Sequence, residues 1–374
     1  MKIGVIRETK PYEKRVALSP DSVKHLVKKG HAVLVEQGAG ETSNFSDADF
    51  PAAGAAIGSK ADALKAELVL KVNPLTAEEI GGMEPGASCI SLMYAWSNKA
   101  LVDALNARKI TAFSMDAVPR ISRAQKMDAL SSQANLAGYK AVILASNHLN
   151  KIFPLMMTAA GTITPAKVLI FGAGVAGLQA VATAKRLGAV VEVTDVRPET
   201  KEQVESLGGR FLTVEGAEGV KVTGGYASEV SQDFLNKQKQ LIQDRIKEAD
   251  IVITTALVMG KRSPILVTED MVKSMKQGSV LLDMAVESGG NCELSEINKT
   301  VVKHGVTIIG ESNLPSLLAT NASQLYATNI ITLLFHLVPK DGLTIDTSDE
   351  ITAGVLITRD GQLVHEFTKK LLQN

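Results

Sequence analysis

The feature that most constrains the fold is a glycine-rich turn placed between an apolar strand and a helix. Residues 167–171 form an apolar run that predicts a buried strand, and residues 178–187 have helical periodicity. Between them the chain carries the complete pattern G-x-G-x-x-G, as Gly172-Ala173-Gly174-Val175-Ala176-Gly177. A second apolar strand, residues 190–194, ends at Asp195. A strand, tight turn, helix and second strand in this order predict a parallel, doubly wound sheet.

The three glycines have separate roles if this turn binds a dinucleotide. Gly172 permits the tight turn, Gly174 lets a pyrophosphate approach the backbone, and Gly177 lets the helix pack closely on the strand. Val175 and Ala176 begin the helix, whose N-terminal N–H groups would face the phosphates. The context therefore predicts nucleotide binding. A glycine-rich turn without a ligand is the alternative.

Asp195 and its two neighbours bear on which nucleotide would bind. A carboxylate at this strand end accepts hydrogen bonds from the adenosine ribose hydroxyls and repels a 2′-phosphate, which favours NAD over NADP. Val196 follows as a further candidate contact. Arg197 leaves a second interpretation open, since an arginine there could hold a 2′-phosphate. The alternative for Asp195 is an ordinary aspartate in a turn.

Alternating strands and helices over the rest of the chain predict an α/β protein with two Rossmann-like domains and parallel sheets. We expect the first domain at residues 1–130 plus 320–374, and the NAD-binding domain at 131–319. Long helices, expected within residues 120–150 and 320–338, would link them, with the nucleotide in the interdomain cleft. The tail alternates like a hairpin, with Asp360 and Gly361 as its turn.

Composition excludes several classes of protein. Lys plus Arg and Asp plus Glu number 40 each, so the formal net charge is zero, which argues against a nucleic-acid partner. The two cysteines, Cys89 and Cys292, lie far apart and cannot form a disulfide framework. None of the six histidines has metal-ligand spacing, so we expect no metal site. No apolar run reaches the roughly 20 residues of a membrane span.

A dense polar segment precedes the first long helix. Arg120, Gln125, Asp128 and Ser131 could converge there on a polar ligand. From spacing alone, a solvated entry to the helix is the favoured interpretation.

These residues also carry a family resemblance. Residues 119–135 resemble the loop of proton-translocating nicotinamide nucleotide transhydrogenases that is named for its Arg, Gln and Asp. The likeness to the NAD(H)-binding component of that family (domain I, alpha subunit) extends from Arg15 to Tyr326. It implies that Arg120, Gln125, Asp128 and a matching Ser131 hold the nicotinamide end of the nucleotide, which reverses the interpretation from spacing.

The resemblance also implies further contacts and partners. Gly225 and Tyr226 match a loop that closes over the nucleotide, and Thr255, Ala256 and Leu257 match a strand end that contacts it. The implied activity is reversible hydride transfer from NAD(H) on this chain to NADP(H) on a partner subunit. A membrane-spanning subunit would couple the transfer to proton translocation. The chain itself would be a cytoplasmic homodimer, peripheral on the inner face of the membrane.

A more distant resemblance to alanine dehydrogenase keeps a second enzymatic function open. Arg15 and Lys71 match the positions where that enzyme binds its keto acid. Its catalytic histidine matches Trp96, whose indole N–H donates but cannot relay a proton, and its active-site aspartate matches Glu287. A non-catalytic NAD sensor is the third class considered.

Overall fold

The computed structural model describes residues 1–213, 221–223, 226–229, 232–258, 262–339 and 342–372. The chain divides into two compact units, Met1–Gln133 with Pro315–Asn374 and Ala134–Leu314. Each unit contains a large, mostly parallel sheet. The predicted α/β class with two parallel-sheet domains is confirmed.

The first unit is built on an eight-stranded sheet. In spatial order its strands are Gln362–Leu363, Leu356–Arg359, Thr111–Ser114, Ser88–Ser91, Leu68–Leu70, Lys2–Val5, Ala32–Glu36 and Ala56–Gly58. The last six are mutually parallel, and the first two form an antiparallel hairpin at one edge. In chain order these six strands have the 3-2-1-4-5-6 arrangement of a doubly wound fold.

Helices cover this sheet, because alternate side chains of its buried strands point to opposite faces. Leu68 and Leu70 join one apolar cluster, and Val69 between them joins another. The helices are Pro20–Lys28, Asp49–Ala52, Lys60–Leu64, Ala77–Gly82, Lys99–Ala107, Ala319–Leu337, Glu350–Val355 and Glu366–Leu372. The helix Ala129–His148 begins in this unit.

The second unit repeats the same strand arrangement. In spatial order its strands are Arg210–Phe211, Val190–Thr194, Lys167–Phe171, Ile251–Thr254, Val280–Asp283, Val306–Ile309 and Thr300–Lys303. Only the last pairs antiparallel within the described part of this sheet. Its helices are Val175–Arg186, Thr200–Ser206, Gln232–Ile246 and Glu269–Ser274. Two separate hairpins pair Met156–Thr158 with Gly161–Ile163 and Lys221–Thr223 with Tyr226–Glu229.

Two predicted elements differ from the structure. The sequence predicts the first long helix from residue 120, but Ser122–Met127 is a 3-10 helix and the α-helix begins at Ala129, because the Asp128 carboxylate caps it. The tail turns at Asp360 and Gly361 as predicted, both with positive φ, but Glu350–Val355 ahead of the hairpin is helical. There Asp349 accepts a hydrogen bond from the Thr352 N–H and caps the helix.

Candidate functional site

The glycine turn has the geometry that its three glycines predict. Gly172 has φ +101°, and a Cβ on it would lie 2.3 Å from Thr255 Oγ1. A Cβ on Gly177 would lie 1.9 Å from the Gly172 carbonyl oxygen, so only glycine lets the helix begin this close to the strand. At Gly174 the nearest atom to a Cβ is Arg197 Nη2 at 3.9 Å. The turn is therefore closed on its inner side and open at Gly174.

The helix Val175–Arg186 begins directly at this open position. Gly174 is its N-cap residue and supplies no side-chain hydrogen bond to the first turn. The N–H groups of that turn, which no later residue of the helix can accept, are those that bind phosphate in other proteins. Val175 is 38 % exposed at the same end. The arrangement suits a pyrophosphate group.

Asp195 lies beside the turn and is largely buried. Its Oδ2 accepts a hydrogen bond from the Ala173 N–H at 2.6 Å, so the carboxylate also fixes the glycine turn. Its two oxygens accept from Arg197 Nε at 2.9 Å and Nη2 at 2.8 Å, and Oδ1 accepts the Arg197 N–H at 2.8 Å. Val196 between them is partly exposed. Aspartate and arginine are thus joined in a bidentate pair.

The strand end at residues 255–257 lies next to the glycine turn. Thr255 donates its N–H to the Phe171 carbonyl at 2.8 Å, and its hydroxyl to the same oxygen at 3.0 Å. Ala256 is partly exposed and Leu257 is 45 % exposed. Because the strands ending at Phe171, Thr194 and Thr254 are neighbours, the turn, Asp195 and Thr255 share one edge of the sheet.

The last two predicted contacts are only partly covered by the structure. Gly225 lies outside the described residues. Tyr226 begins the strand Tyr226–Glu229, and its backbone pairs with Thr223.

In the first unit, the polar segment of residues 120–131 places its four predicted residues in two environments. Arg120 and Gln125 are exposed. Asp128 accepts hydrogen bonds from Ser131, at 2.9 Å from the N–H and 2.6 Å from the hydroxyl. Asp128 and Ser131 therefore have a structural role as a helix cap, and their spacing is that of a cap.

Other residues anchor this segment to the first unit. Asn329 donates its amide N–H to the Lys126 carbonyl at 2.9 Å and accepts from the Ser132 hydroxyl at 2.7 Å. Arg123 pairs with Asp349 at 2.9 Å. Burial opposes ionisation of Asp349, but its hydrogen bonds from Thr352, His336 and Arg123 hold its pKa well below the usual range. The segment is thus held at both its main chain and its side chains.

Two domain profiles cover nearly the whole chain. The profile described as the alanine dehydrogenase/PNT N-terminal domain matches residues 4–137, and that of the C-terminal domain matches residues 141–366. The chain belongs to the alanine dehydrogenase/PNT family.

Within that family the chain is more similar in sequence to transhydrogenase subunits than to the alanine dehydrogenases compared. It is 52 % identical to an NAD(P) transhydrogenase subunit alpha of Rhodospirillum rubrum, over 98 % of both chains. A crystal structure of transhydrogenase from Sinorhizobium meliloti has 43 % identity and a TM-score of 0.86, covering 98 % of this chain and 99 % of that one. An L-alanine dehydrogenase structure has a TM-score of 0.85 but 29 % identity, covering 100 % and 99 %.

The positions that match the keto-acid site of alanine dehydrogenase are occupied by internal ion pairs here. Arg15 is buried, and its guanidinium donates to the two oxygens of Glu13 at 2.8 and 2.7 Å and to Gln133 at 3.0 Å. The buried Lys71 ammonium lies 2.7 Å from Glu79. These partners neutralise the two cations that a substrate carboxylate would require in a family member acting on keto acids.

The tryptophan at the position of the catalytic histidine is packed against a neighbouring ring. The rings of Trp96 and Tyr94 meet edge to face, with centroids 6.5 Å apart. The two cysteine thiols offer no nucleophile either, since burial raises the pKa of Cys89 to about 12 and that of Cys292 to about 11. In the described parts of the chain, no group of three His, Cys, Asp or Glu could hold a metal.

Sequence analysis missed the residues that support the candidate site. Asn329 and Asn291, which brace residues 122–127 and Ala256 respectively, lie in segments without a recognisable motif. Asp283 had a usable signal, because it ends an apolar strand just as Thr194 and Asp195 do. Its carboxylate accepts four hydrogen bonds inside the second unit.

Proposed function

We propose that this chain is the NAD(H)-binding subunit of a proton-translocating transhydrogenase. It transfers hydride reversibly between its own NAD(H) and NADP(H) held by a partner subunit. A membrane-spanning subunit couples that transfer to proton movement. The observation that carries the proposal is the glycine turn, closed by Gly172 and Gly177, open at Gly174, and hydrogen-bonded to Asp195.

The binding roles follow from the chemistry of these groups. The first-turn N–H groups of Val175 and Ala176 bind the pyrophosphate, while Asp195 binds the adenosine ribose. Val196, Arg197, Thr255, Ala256 and Leu257 line this half of the site, and Gly225 and Tyr226 close over the nucleotide. Bound NADH supplies the hydride from its nicotinamide C4 atom.

Residues of the first unit orient the nicotinamide. Arg120 and Gln125 are exposed, so their side chains reach the surface where they can contact the carboxamide of the ring, while Asp128 and Ser131 fix the start of the helix behind them. Hydride transfer between two nicotinamide rings requires no proton donor. Positioning alone is required, with the two C4 atoms about 3–3.5 Å apart and water excluded.

A second copy of this chain is the proposed partner of the hairpin Met156–Thr158 and Gly161–Ile163. A two-stranded hairpin on its own is only marginally stable in water. This one is exposed throughout, including Met157 at 76 % and Ile163 at 43 %. A homodimer that covers these side chains would remove apolar surface from water and stabilise the hairpin.

Association with the membrane is proposed to occur only through partners. Among the described helices, none combines the length and the apolar character that a membrane crossing requires. The chain associates with the inner face of the membrane as a peripheral component, through its membrane-spanning and NADP(H)-binding partner subunits.

A pair of assays tests the proposal against the alternatives. The chain is mixed with an NADP(H)-binding transhydrogenase component, NADPH and an oxidised NAD analogue whose reduced form has a distinct absorbance. We expect the analogue to be reduced only when both proteins are present. NADH with pyruvate and ammonia should remain unoxidised. Oxidation there would establish an amino-acid dehydrogenase, and NADH binding without activity in either assay would indicate a sensor.

A further inference from the structure

A buried asparagine braces the strand end that contacts the nucleotide in the proposed function. The ladder between Ile251–Thr254 and Val280–Asp283 ends at the pair of Thr254 with Asp283. Two residues later, Ala256 donates its N–H to Asn291 Oδ1 at 3.0 Å, and its carbonyl accepts from Asn291 Nδ2 at 2.9 Å. The side-chain amide thus takes the place that the backbone of a neighbouring strand would occupy.

Asn291 is itself held rigidly. It is completely buried, and its Nδ2 also donates to the Pro264 carbonyl at 2.8 Å. Its N–H donates to Asp283 Oδ2 at 2.8 Å, and its carbonyl accepts the Val267 N–H at 3.0 Å. Asp283, also completely buried, accepts the Thr254 hydroxyl at 3.1 Å. Asparagine and strand therefore share one buried anchor.

The opposite side of the strand end is fixed by the glycine turn. Thr255 donates its hydroxyl to the Phe171 carbonyl, and the hydroxyl oxygen would lie 2.3 Å from a Cβ on Gly172. Residues 255–257 are thus set between the turn on one side and Asn291 on the other. Any displacement of Ala256 moves its exposed neighbour Leu257 as well.

We infer that Asn291 is a positioning residue for nucleotide binding, an inference that rests on the proposed function. It occupies both main-chain groups of Ala256 and so acts on the nucleotide through the placement of Thr255 and Leu257. Displacements on the order of 1 Å in such supporting residues are enough to weaken a site.

The requirement is for an amide of this length. Asparagine offers an acceptor and two donors, and all are used on Ala256 and Pro264. Aspartate would place a carboxylate oxygen against two carbonyls, and alanine would leave three main-chain groups without this partner. We therefore expect even small replacements to weaken NADH binding.

The test compares Asn291→Ala with a matched asparagine of the same unit. Asn298 also caps the main chain, accepting from the Ser312 N–H at 3.2 Å, and within the described structure its hydrogen bonds do not reach residues 254–257. Because its φ is +55°, Asn298→Gly removes the side chain without adding backbone strain. Asn291→Ser, which keeps a polar group in the buried position, replaces the alanine variant if that protein does not fold.

NADH affinity of the full chain is measured by fluorescence, together with the thermal unfolding midpoint and hydrogen exchange at the Ala256 amide. We expect Asn291→Ala to bind NADH roughly ten-fold more weakly, the change that corresponds to about one net hydrogen bond, and to speed exchange at Ala256. Asn298→Gly should lower the midpoint and leave the affinity unchanged.

Equal NADH affinity in folded Asn291 variants and in Asn298→Gly would overturn the inference, and would leave the proposed function intact. Loss of stability in the Asn291 variants without loss of affinity would have the same meaning. If the unaltered chain bound no NADH, the proposed function would fail, and the inference with it.

Discussion

Arg197 occupies the carboxylate of Asp195 through its guanidinium and its own main-chain N–H. With the Ala173 N–H, four donors fill the roughly four acceptor positions of that carboxylate. Ribose hydroxyls can therefore bind Asp195 only by replacing part of the guanidinium. The pair also neutralises the arginine, which weakens its attraction for the 2′-phosphate of NADP(H).

Removing the charge of Asp195 should release Arg197 to bind phosphate. We predict that Asp195→Asn weakens NADH binding and tightens NADPH binding at least about ten-fold, since an arginine released from its carboxylate forms charge-assisted bonds with a 2′-phosphate. Titration of both nucleotides by calorimetry measures the two changes. The double variant with Arg197→Ala should lose the gain for NADPH. If the gain persists without the arginine, another group binds the phosphate.

Gln125 provides the test of positioning against simple binding. Gln125→Asn shortens the side chain by one methylene and keeps its amide. We expect hydride transfer to slow on the order of 10²-fold, because misplacement of about 1 Å has that effect, while the adenosine half still secures NADH. Transfer rates in the reconstituted complex and NADH affinity are compared. A loss of affinity as large as the loss of rate would make Gln125 only a binding residue.

The buried pair of Glu13 and Arg15 should contribute strongly to stability. Glu13→Gln leaves the buried guanidinium without its counter-ion, and breaking such a pair costs about 3–5 kcal/mol of unfolding free energy. Urea unfolding measures the change. The control is Asp103→Asn, which breaks the exposed pair with Lys99 and should change stability by less than about 1 kcal/mol. Similar effects of the two variants would contradict the prediction.

The same pair predicts a pH dependence. Burial would raise the pKa of Glu13, but hydrogen bonds and charge from Arg15, together with Asn73, hold it well below its ordinary value of 4.5. A carboxylate whose pKa is depressed by folding stabilises the native state fully above that ordinary value and loses this contribution as the pH falls below it. Stability of the unaltered chain should therefore fall in acid more steeply than that of Glu13→Gln. Parallel curves would contradict the assignment.

The exposed hairpin predicts the oligomeric state. Met157→Asp places a charge where a second copy would bury an apolar side chain, so we expect a monomer at concentrations where the unaltered chain is a dimer. The control is Val302→Asp, on an edge strand, where the valine is 68 % exposed. Sedimentation velocity distinguishes the two. Dissociation by both substitutions, or by neither, would argue against the hairpin as the interface.

Local chemistry explains how much of the fold and the site is predictable from the sequence. The turn at residues 172–177 is predictable because its strand, glycines and helix are contiguous, and the same holds for the cap formed by Asp128 and Ser131. The short strand Ala56–Gly58 and the hairpin at residues 156–163 lack a distinct apolar alternation and were missed. Asn291 was missed because its role depends on Ala256, which the fold brings beside it from 35 residues away.

The central claim is that this chain positions NADH for direct hydride transfer to a second nicotinamide. The most direct measurement uses NADH carrying deuterium at the transferred C4 position, the chain, an NADP(H)-binding transhydrogenase component and NADP⁺ in ordinary water. We predict NADPH that carries the deuterium in a single turnover. NADPH containing hydrogen from the solvent, or no NADPH at all while NADH is bound, would contradict the claim.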